Sequence, residues 1–280
     1  MENRTPAEIL AYVSDTGYKK VQRKIPAVLI LAFLAGAFIA FAAQEANMMS
    51  HNLLANYDTY GLGRALSGAM FGTGLMLVLL AGGDLVTGNT LIIISVLDRR
   101  VKIRSMLFNW LIVYIGNFIG SLFIVWMVCQ TGLLDSSNGL LGGITIKIAA
   151  YKTSLPFLSA FLMGVMCNWL VCLAVWVSSG ARDFSGKILS IFFIIGLFVI
   201  SGYEHSVANM FYIPAGIIAK QNPYWLGKAG TAAAELDGLN WISFFTKNLI
   251  PVTLGNIVGG AGMVGVLYWF SLGSVKPKKE

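Results

Sequence analysis

The sequence predicts an all-α polytopic membrane protein, with six transmembrane helices in two inverted three-helix repeats and with spans two and five broken. Two observations predict it. The first is composition: of 280 residues, 56% are hydrophobic and 12% charged, and the mean hydropathy is +0.72, whereas a soluble domain carries about 25% charged residues. The second is a duplicated interruption of two long apolar segments. Gly82-Gly83-Asp84-Leu85-Val86-Thr87-Gly88-Asn89 lies in one, and Ser201-Gly202-Tyr203-Glu204-His205-Ser206-Val207-Ala208-Asn209 in the other. Gly82 and Gly202, Asp84 and Glu204, and Asn89 and Asn209 are each 120 positions apart. An ionised carboxylate at mid-membrane costs roughly 2.5–3.5 kcal/mol even on lenient scales, so both stretches read as helix breaks facing a cavity.

Taken in order, Thr5-Pro6-Ala7-Glu8 has the form of a capping box with proline in the first turn. Ile9, Tyr12 and Val13 then share a face, so residues 1–25 are expected to form a cytoplasmic amphipathic helix at the membrane surface. No secretory leader is expected, because the first apolar run begins near Pro26, behind a charged segment, and is too long for one. Residues 26–272 are expected to hold spans at roughly 26–47, 65–97, 106–130, 154–178, 188–219 and 245–272. Loop 98–105 carries Arg99, Arg100, Lys102 and Arg104, loop 179–187 carries Arg182 and Lys187, and both termini are basic, including a tail over 273–280. The excess of positive charge in short loops places all of these in the cytoplasm. Loops 48–64, 131–153 and 220–244 are then external.

The repeat extends to the other spans. Phe33-Leu34-Ala35-Gly36 in span one matches Phe161-Leu162-Met163-Gly164 in span four. Asn109 followed by Gly116-Asn117-Phe118-Ile119-Gly120 matches Asn248 followed by Gly255-Asn256-Ile257-Val258-Gly259, and both read Asn-x6-Gly-Asn-x2-Gly. An odd number of spans per half inverts the second half. Inverted repeats with paired broken helices are a transporter or channel architecture, with the site at the midplane. The glycines also read as positions of close helix approach.

Other classes fit poorly. The net charge of +7 sits mostly at helix ends, which argues against nucleic acid. Cys129, Cys167 and Cys172 have no metal or redox spacing and read as packing residues, so no metal or cofactor is expected. An intramembrane enzyme would need a catalytic constellation. There is no HExxH, and Glu204 and His205, as neighbours on a helix, would diverge. A water or glycerol channel would carry Asn-Pro-Ala at both breaks, and neither break has it. A membrane receptor that binds an anion without moving it is the alternative from a different class.

Among the polar residues, His205 is the histidine inside an apolar segment, beside an acid and in a break. It can donate a proton to a passing anion or offer it a positive charge. Glu204 and Asp84 either line a pore or accept hydrogen bonds from backbone N–H groups at the breaks. The structural role is preferred, since an inward carboxylate repels anions. Thr87 and Asn168 are hydrogen-bonding candidates at the midplane or helix-packing residues. Lys152 is either a snorkelling lysine at the membrane boundary or an anion attractor at the pore mouth.

The run Gly202-Tyr203-Glu204-His205-Ser206-Val207-Ala208-Asn209-Met210-Phe211, with Cys167-Asn168-Trp169-Leu170-Val171-Cys172-Leu173-Ala174, resembles the formate/nitrite transporter family. Asp84-Leu85-Val86-Thr87-Gly88-Asn89 resembles its first-break loop, and Pro251-Val252-Thr253-Leu254-Gly255-Asn256 its sixth span. The resemblance implies an aquaporin-like fold assembled as a homopentamer, with one pore per protomer and a lipid-filled centre. It implies passage of formate, nitrite or hydrosulfide, together with protons, across a prokaryotic-type cytoplasmic membrane. By motif position His205 is the central pore histidine, Thr87 its partner, Asn168 a nearby donor and Lys152 the vestibule lysine. Leu75 and Phe198 match the cytoplasmic constriction, and Phe71 and Leu85 apolar pore-lining positions. Asp84, Glu204, Asn89 and Asn209 are structural at the breaks. Many members have an aromatic residue where this chain has Val86, a departure that widens the external constriction. The implied mechanism gathers the anion at Lys152 and protonates or shields it near His205 before it passes Leu75 and Phe198.

Overall fold

A computed structural model describes residues 2–273; most of the expected basic tail, residues 274–280, lies outside them. Among the described residues there is no strand, and six helices are long and apolar enough to cross a membrane: Ile25–Leu54, Tyr57–Gly82, Ile103–Gln130, Phe157–Gly180, Phe184–Ser201 and Trp241–Leu272.

The chain opens with α1 (Pro6–Val21), whose capping box forms as its sequence dictates. Glu8 N–H donates to Thr5 Oγ1, and Thr5 N–H donates to Glu8 Oε2. The first span is α2 (Ile25–Leu54). The second begins as α3 (Tyr60–Met76) and runs through a π-helical stretch, Leu77–Gly82. It stops where Gly82 takes a φ of 103° and resumes as α4 (Val86–Asn89) and α5 (Ile92–Leu97). The third span is α6 (Ile103–Gln130). After α7 (Leu140–Ser154), the fourth span is α8 (Phe157–Gly180) and the fifth begins as α9 (Phe184–Ser201). Gly202 ends α9 with a φ of 82°, and α10 (Ser206–Ala219) resumes the span. The left-handed conformation at both break glycines carries a steric penalty for a residue with a Cβ. Trp241–Leu272 is the sixth span.

Two asparagines act as buckles, one within each half. Asn117 Nδ2 donates to the carbonyls of Ala32 (2.8 Å) and Asp84 (2.9 Å), while its Oδ1 accepts from Val86 N–H (3.0 Å). Asn256 Nδ2 donates to the carbonyls of Gly164 (2.8 Å) and Glu204 (3.0 Å), while its Oδ1 accepts from Ser206 N–H (2.9 Å). Each asparagine thus ties the freed backbone of a break to the preceding span, as buried backbone polar groups in a membrane require.

These bonds correct the repeat register in the first span. Asp84 N–H donates to the Leu31 carbonyl and Glu204 N–H to the Met163 carbonyl. Leu31 and Met163 are 132 positions apart, as are Ala32 and Gly164. The match of Phe33–Gly36 with Phe161–Gly164, at 128, is therefore one helical turn out. A four-residue shift keeps side chains on the same helix face, so the small-residue pattern survives the wrong register. Close approach follows the register of 132 as well. A Cβ on Gly120 would collide with the Phe33 carbonyl, and one on Gly259 with the Val165 carbonyl.

Two expected features are also corrected. Segment 131–153 is not simply an external loop. It contains most of α7, whose Leu141, Ile144, Ile146, Ala149 and Ala150 are buried and which packs on α10 and α2. Nor does α1 lie against the bilayer alone. Its Ile9, Leu10 and Val13 are buried with Leu91, Ile94, Trp176 and Val264, while Tyr12 stays exposed. Ser14 Oγ donates to Asp98 Oδ2 (2.5 Å) and Ser95 Oγ to the Ser14 carbonyl (2.6 Å), which fixes α1 on α5. The apolar face of α1 thus finds protein rather than lipid.

Candidate functional site

The two breaks meet through His205 and Thr87. His205 caps α10, its Nδ1 accepting from Ala208 N–H at 3.1 Å. A neutral imidazole with Nδ1 as acceptor carries its proton on Nε2. Nε2 faces Thr87 Oγ1 at 3.0 Å. Nε2–H therefore donates to the threonine oxygen, and the threonine hydroxyl keeps a hydrogen of its own. Both residues are buried. The Phe198 ring lies 6.1 Å from the imidazole, and Phe71 meets Phe198 edge-on at 5.7 Å. Leu75, Leu85 and Val207 are buried in the same core. One free hydrogen-bond donor, the Thr87 hydroxyl held by the imidazole, is thus set in apolar walls.

Asn168 is placed beside them but is already committed. Its Nδ2 lies 2.6 Å from the Asn256 carbonyl, 3.2 Å from the Thr87 carbonyl and 3.3 Å from Thr90 Oγ1. Its two hydrogens hold the first break against the sixth span rather than standing free for a ligand.

The carboxylates of the breaks are neutralised by cations. Glu204 Oε1 pairs with Lys152 Nζ at 2.6 Å, and its Oε2 accepts from Asn209 (2.7 Å) and Asn248 (3.1 Å). Asp84 pairs with Lys20 at 3.0 Å and with Arg23 at 2.6 Å. Asn89 Oδ1 accepts from Lys20, and its Nδ2 donates to Asn109 Oδ1 (3.0 Å). Asn248 likewise accepts from Asn209 at 2.7 Å. Side chains, rather than the backbone N–H groups expected from the sequence, satisfy both carboxylates. Lys152 is neither a snorkelling lysine nor an exposed attractor, since its side chain is 12% exposed and ion-paired, with the Tyr212 ring 5.3 Å from its ammonium.

Lys20 escapes sequence reasoning. It lies 132 positions before Lys152, the offset that the backbone bonds establish. α1 and α7 are therefore repeat mates, and each half is one short helix followed by three spans. The signal was present as a lysine preceding each first-of-three span, but the wrong register concealed it. The arrangement as a whole offers one donor pair at the centre, flanked by a lysine–carboxylate pair in each half.

Known proteins share this plan. The family model described as formate/nitrite transporter matches residues 7–270. The chain is 38% identical to a probable formate transporter of Methanothermobacter thermautotrophicus, with 96% of this chain and 97% of that protein covered. It is 36% identical to the formate channel FocA of Haemophilus influenzae, covering 94% and 92%. It superimposes on a pentameric formate channel with formate bound, at a TM-score of 0.79 and 36% identity, over 88% of this chain and 97% of that one. The matching breaks, their asparagine buckles and near-complete coverage lead to one conclusion: the chain belongs to the formate/nitrite transporter family.

Proposed function

We propose that the protein is a homopentameric formate channel of a prokaryotic-type cytoplasmic membrane, with both termini cytoplasmic, one pore per protomer, and nitrite as the next substrate. The observation that carries this reading is the Thr87–His205 donor pair, 3.0 Å apart in apolar surroundings, in a chain whose relatives are named for formate. Lys152 and Lys20 cancel the charges of Glu204 and Asp84, so that neither carboxylate repels an anion approaching from its side. At the centre it accepts from Thr87 O–H, whose oxygen is itself held and polarised by His205 Nε2–H. Burying a bare carboxylate is prohibitive, and a low dielectric raises its affinity for a proton, so the anion takes up an H+ relayed from the bulk solution on the side of entry and passes Leu75 and Phe198 as the neutral acid, a net movement of one H+ with each formate.

His205 acts here as a neutral donor rather than as an imidazolium. Protonating Nδ1 would break the cap on Ala208, a loss of about 1 kcal/mol before any cost of burying charge. Formate flux into liposomes, measured against pH at matched protein content, tests this. Asparagine can both cap and donate, so His205→Asn should assemble and keep the pH profile at lower flux, while His205→Leu should abolish flux. A shifted pH profile in His205→Asn would restore the imidazolium. Formate binding without flux by the wild type would make the protein a receptor.

A further inference from the structure

We propose that the cleft between the α1–α2 corner and the start of α6 binds an anionic glycerophospholipid of the cytoplasmic leaflet. This inference takes only the membrane orientation from the proposed function. The cleft has a volume of about 720 Å³, and its lining includes Arg23, Arg104 and Asn109 together with Leu107 and Leu111. Arg104 is exposed and has no partner among the described residues. Asn109 is 5% exposed, and its Nδ2 makes no hydrogen bond although its Oδ1 does. Two guanidinium groups and a spare amide donor suit a phosphodiester.

The apolar part of the cleft selects a lipid over a soluble anion. Leu107, Leu111, Ile115 and Ile119 are all exposed, at four-residue spacing, and form one stripe along α6. At 1.5 Å per residue the stripe runs about 18 Å, close to the roughly 15 Å half-thickness of the hydrocarbon core. An acyl chain laid on it places its headgroup phosphate at Arg104 and Arg23. Arg23 also holds Asp84 through Nη1. A bound phosphate therefore shares the guanidinium that neutralises the carboxylate beside Lys20, so lipid charge reaches the cytoplasmic mouth of the pore.

The test is native mass spectrometry of the intact pentamer released from equimolar phosphatidylglycerol and phosphatidylcholine. The wild type should retain phosphatidylglycerol in preference. Arg104→Ala should lower that preference about fivefold, the weight of one arginine at an anionic headgroup. Lys102→Ala removes the same charge outside the cleft and should leave the preference intact. Equal effects of the two substitutions, or no preference in the wild type, would overturn the proposal. So would displacement of the lipid by glycerol phosphate at equal concentration, which would make this a soluble-anion site, or a pentamer structure in which a neighbouring protomer fills the cleft.

Discussion

Replacing Lys152 and Lys20 by alanine should have unequal consequences, although the two are repeat mates. Lys152→Ala leaves Glu204, 2% exposed, with only the amides of Asn209 and Asn248. Removing one partner of a buried ion pair costs about 3–5 kcal/mol. Lys20→Ala leaves Asp84 still paired with Arg23 at 2.6 Å and Asn89 still bonded to Asn109, so no charge is orphaned; the losses are the hydrogen bond to Asn89 Oδ1, about 1.5–3 kcal/mol for a charge-assisted bond, and an ion pair that Arg23 already backs up. The assay is thermal dissociation of the purified pentamer followed by size-exclusion chromatography. Lys152→Ala should dissociate at a clearly lower temperature than Lys20→Ala. Adding Glu204→Gln to Lys152→Ala removes the orphaned charge and should recover most of the loss. The reasoning fails if the two alanine variants are equally stable, or if the double variant is no better than Lys152→Ala. Flux lost in Lys152→Ala should also change little with salt, because a pair this enclosed is weakly screened.

Thr87→Val removes the hydroxyl at nearly constant volume and should lower formate flux about tenfold, the effect of one net hydrogen bond of about 1.4 kcal/mol, whereas Thr87→Ser should retain flux; proteoliposome uptake separates the two. Asn117→Ala and Asn256→Ala each orphan backbone groups of a break at about 1–3 kcal/mol per group, so both should lose pentamer yield on gel filtration, while Thr246→Val, an exposed position of the sixth span whose hydroxyl bonds only the Ile242 carbonyl, should not. Asp15, outside the spans, is held below the usual carboxylate range by its hydrogen bond to Lys19, with Arg100 adding to the effect and burial opposing it. A depressed folded value stabilises above the unfolded pKa and loses that contribution as pH falls through the folded one. Protection of α1 from hydrogen exchange should therefore be flat near neutral pH and fall only in strong acid, and Asp15→Asn should lower it at neutral pH and remove that acid step.

The breaks and the repeat of Asn117 as Asn256 were legible because polar residues in apolar segments are conspicuous, and because each recurs within a matching motif, Gly-x-acid-x4-Asn for Asp84 and Glu204 and Asn-x6-Gly-Asn-x2-Gly for the asparagines. Helix α7 was not. Gly139, Gly142 and Gly143 crowd its start, and glycine carries a penalty of about 1 kcal/mol in a helix interior. Tertiary packing overrides that penalty. Gly142 admits the Trp225 ring and Gly143 the Lys228 backbone, at distances where a Cβ would collide. The role of Arg23 was equally hidden, since its pairing with Asp84 spans 61 positions and follows no local pattern. His205 and Thr87 could be named from the sequence, but the tautomer that decides what they do depends on the cap to Ala208, which only coordinates reveal.

The asparagine buckles and lysine–carboxylate pairs make the scaffold read almost the same from either face of the membrane. The two halves repeat these groups up to the point where the breaks meet. There the likeness ends: the repeat mates of His205 and Thr87 are Leu85 and Val207, both buried and apolar. Duplication thus left a single polar seat on one side of the pseudo-twofold axis, with a hydrocarbon blank opposite. Rectification, if currents through the pore show any, has its origin in the few places where the halves disagree. Among them are that central pair, Phe198, whose repeat mate 120 positions back is Val78, and Arg23, whose repeat mate 132 positions on is Leu155.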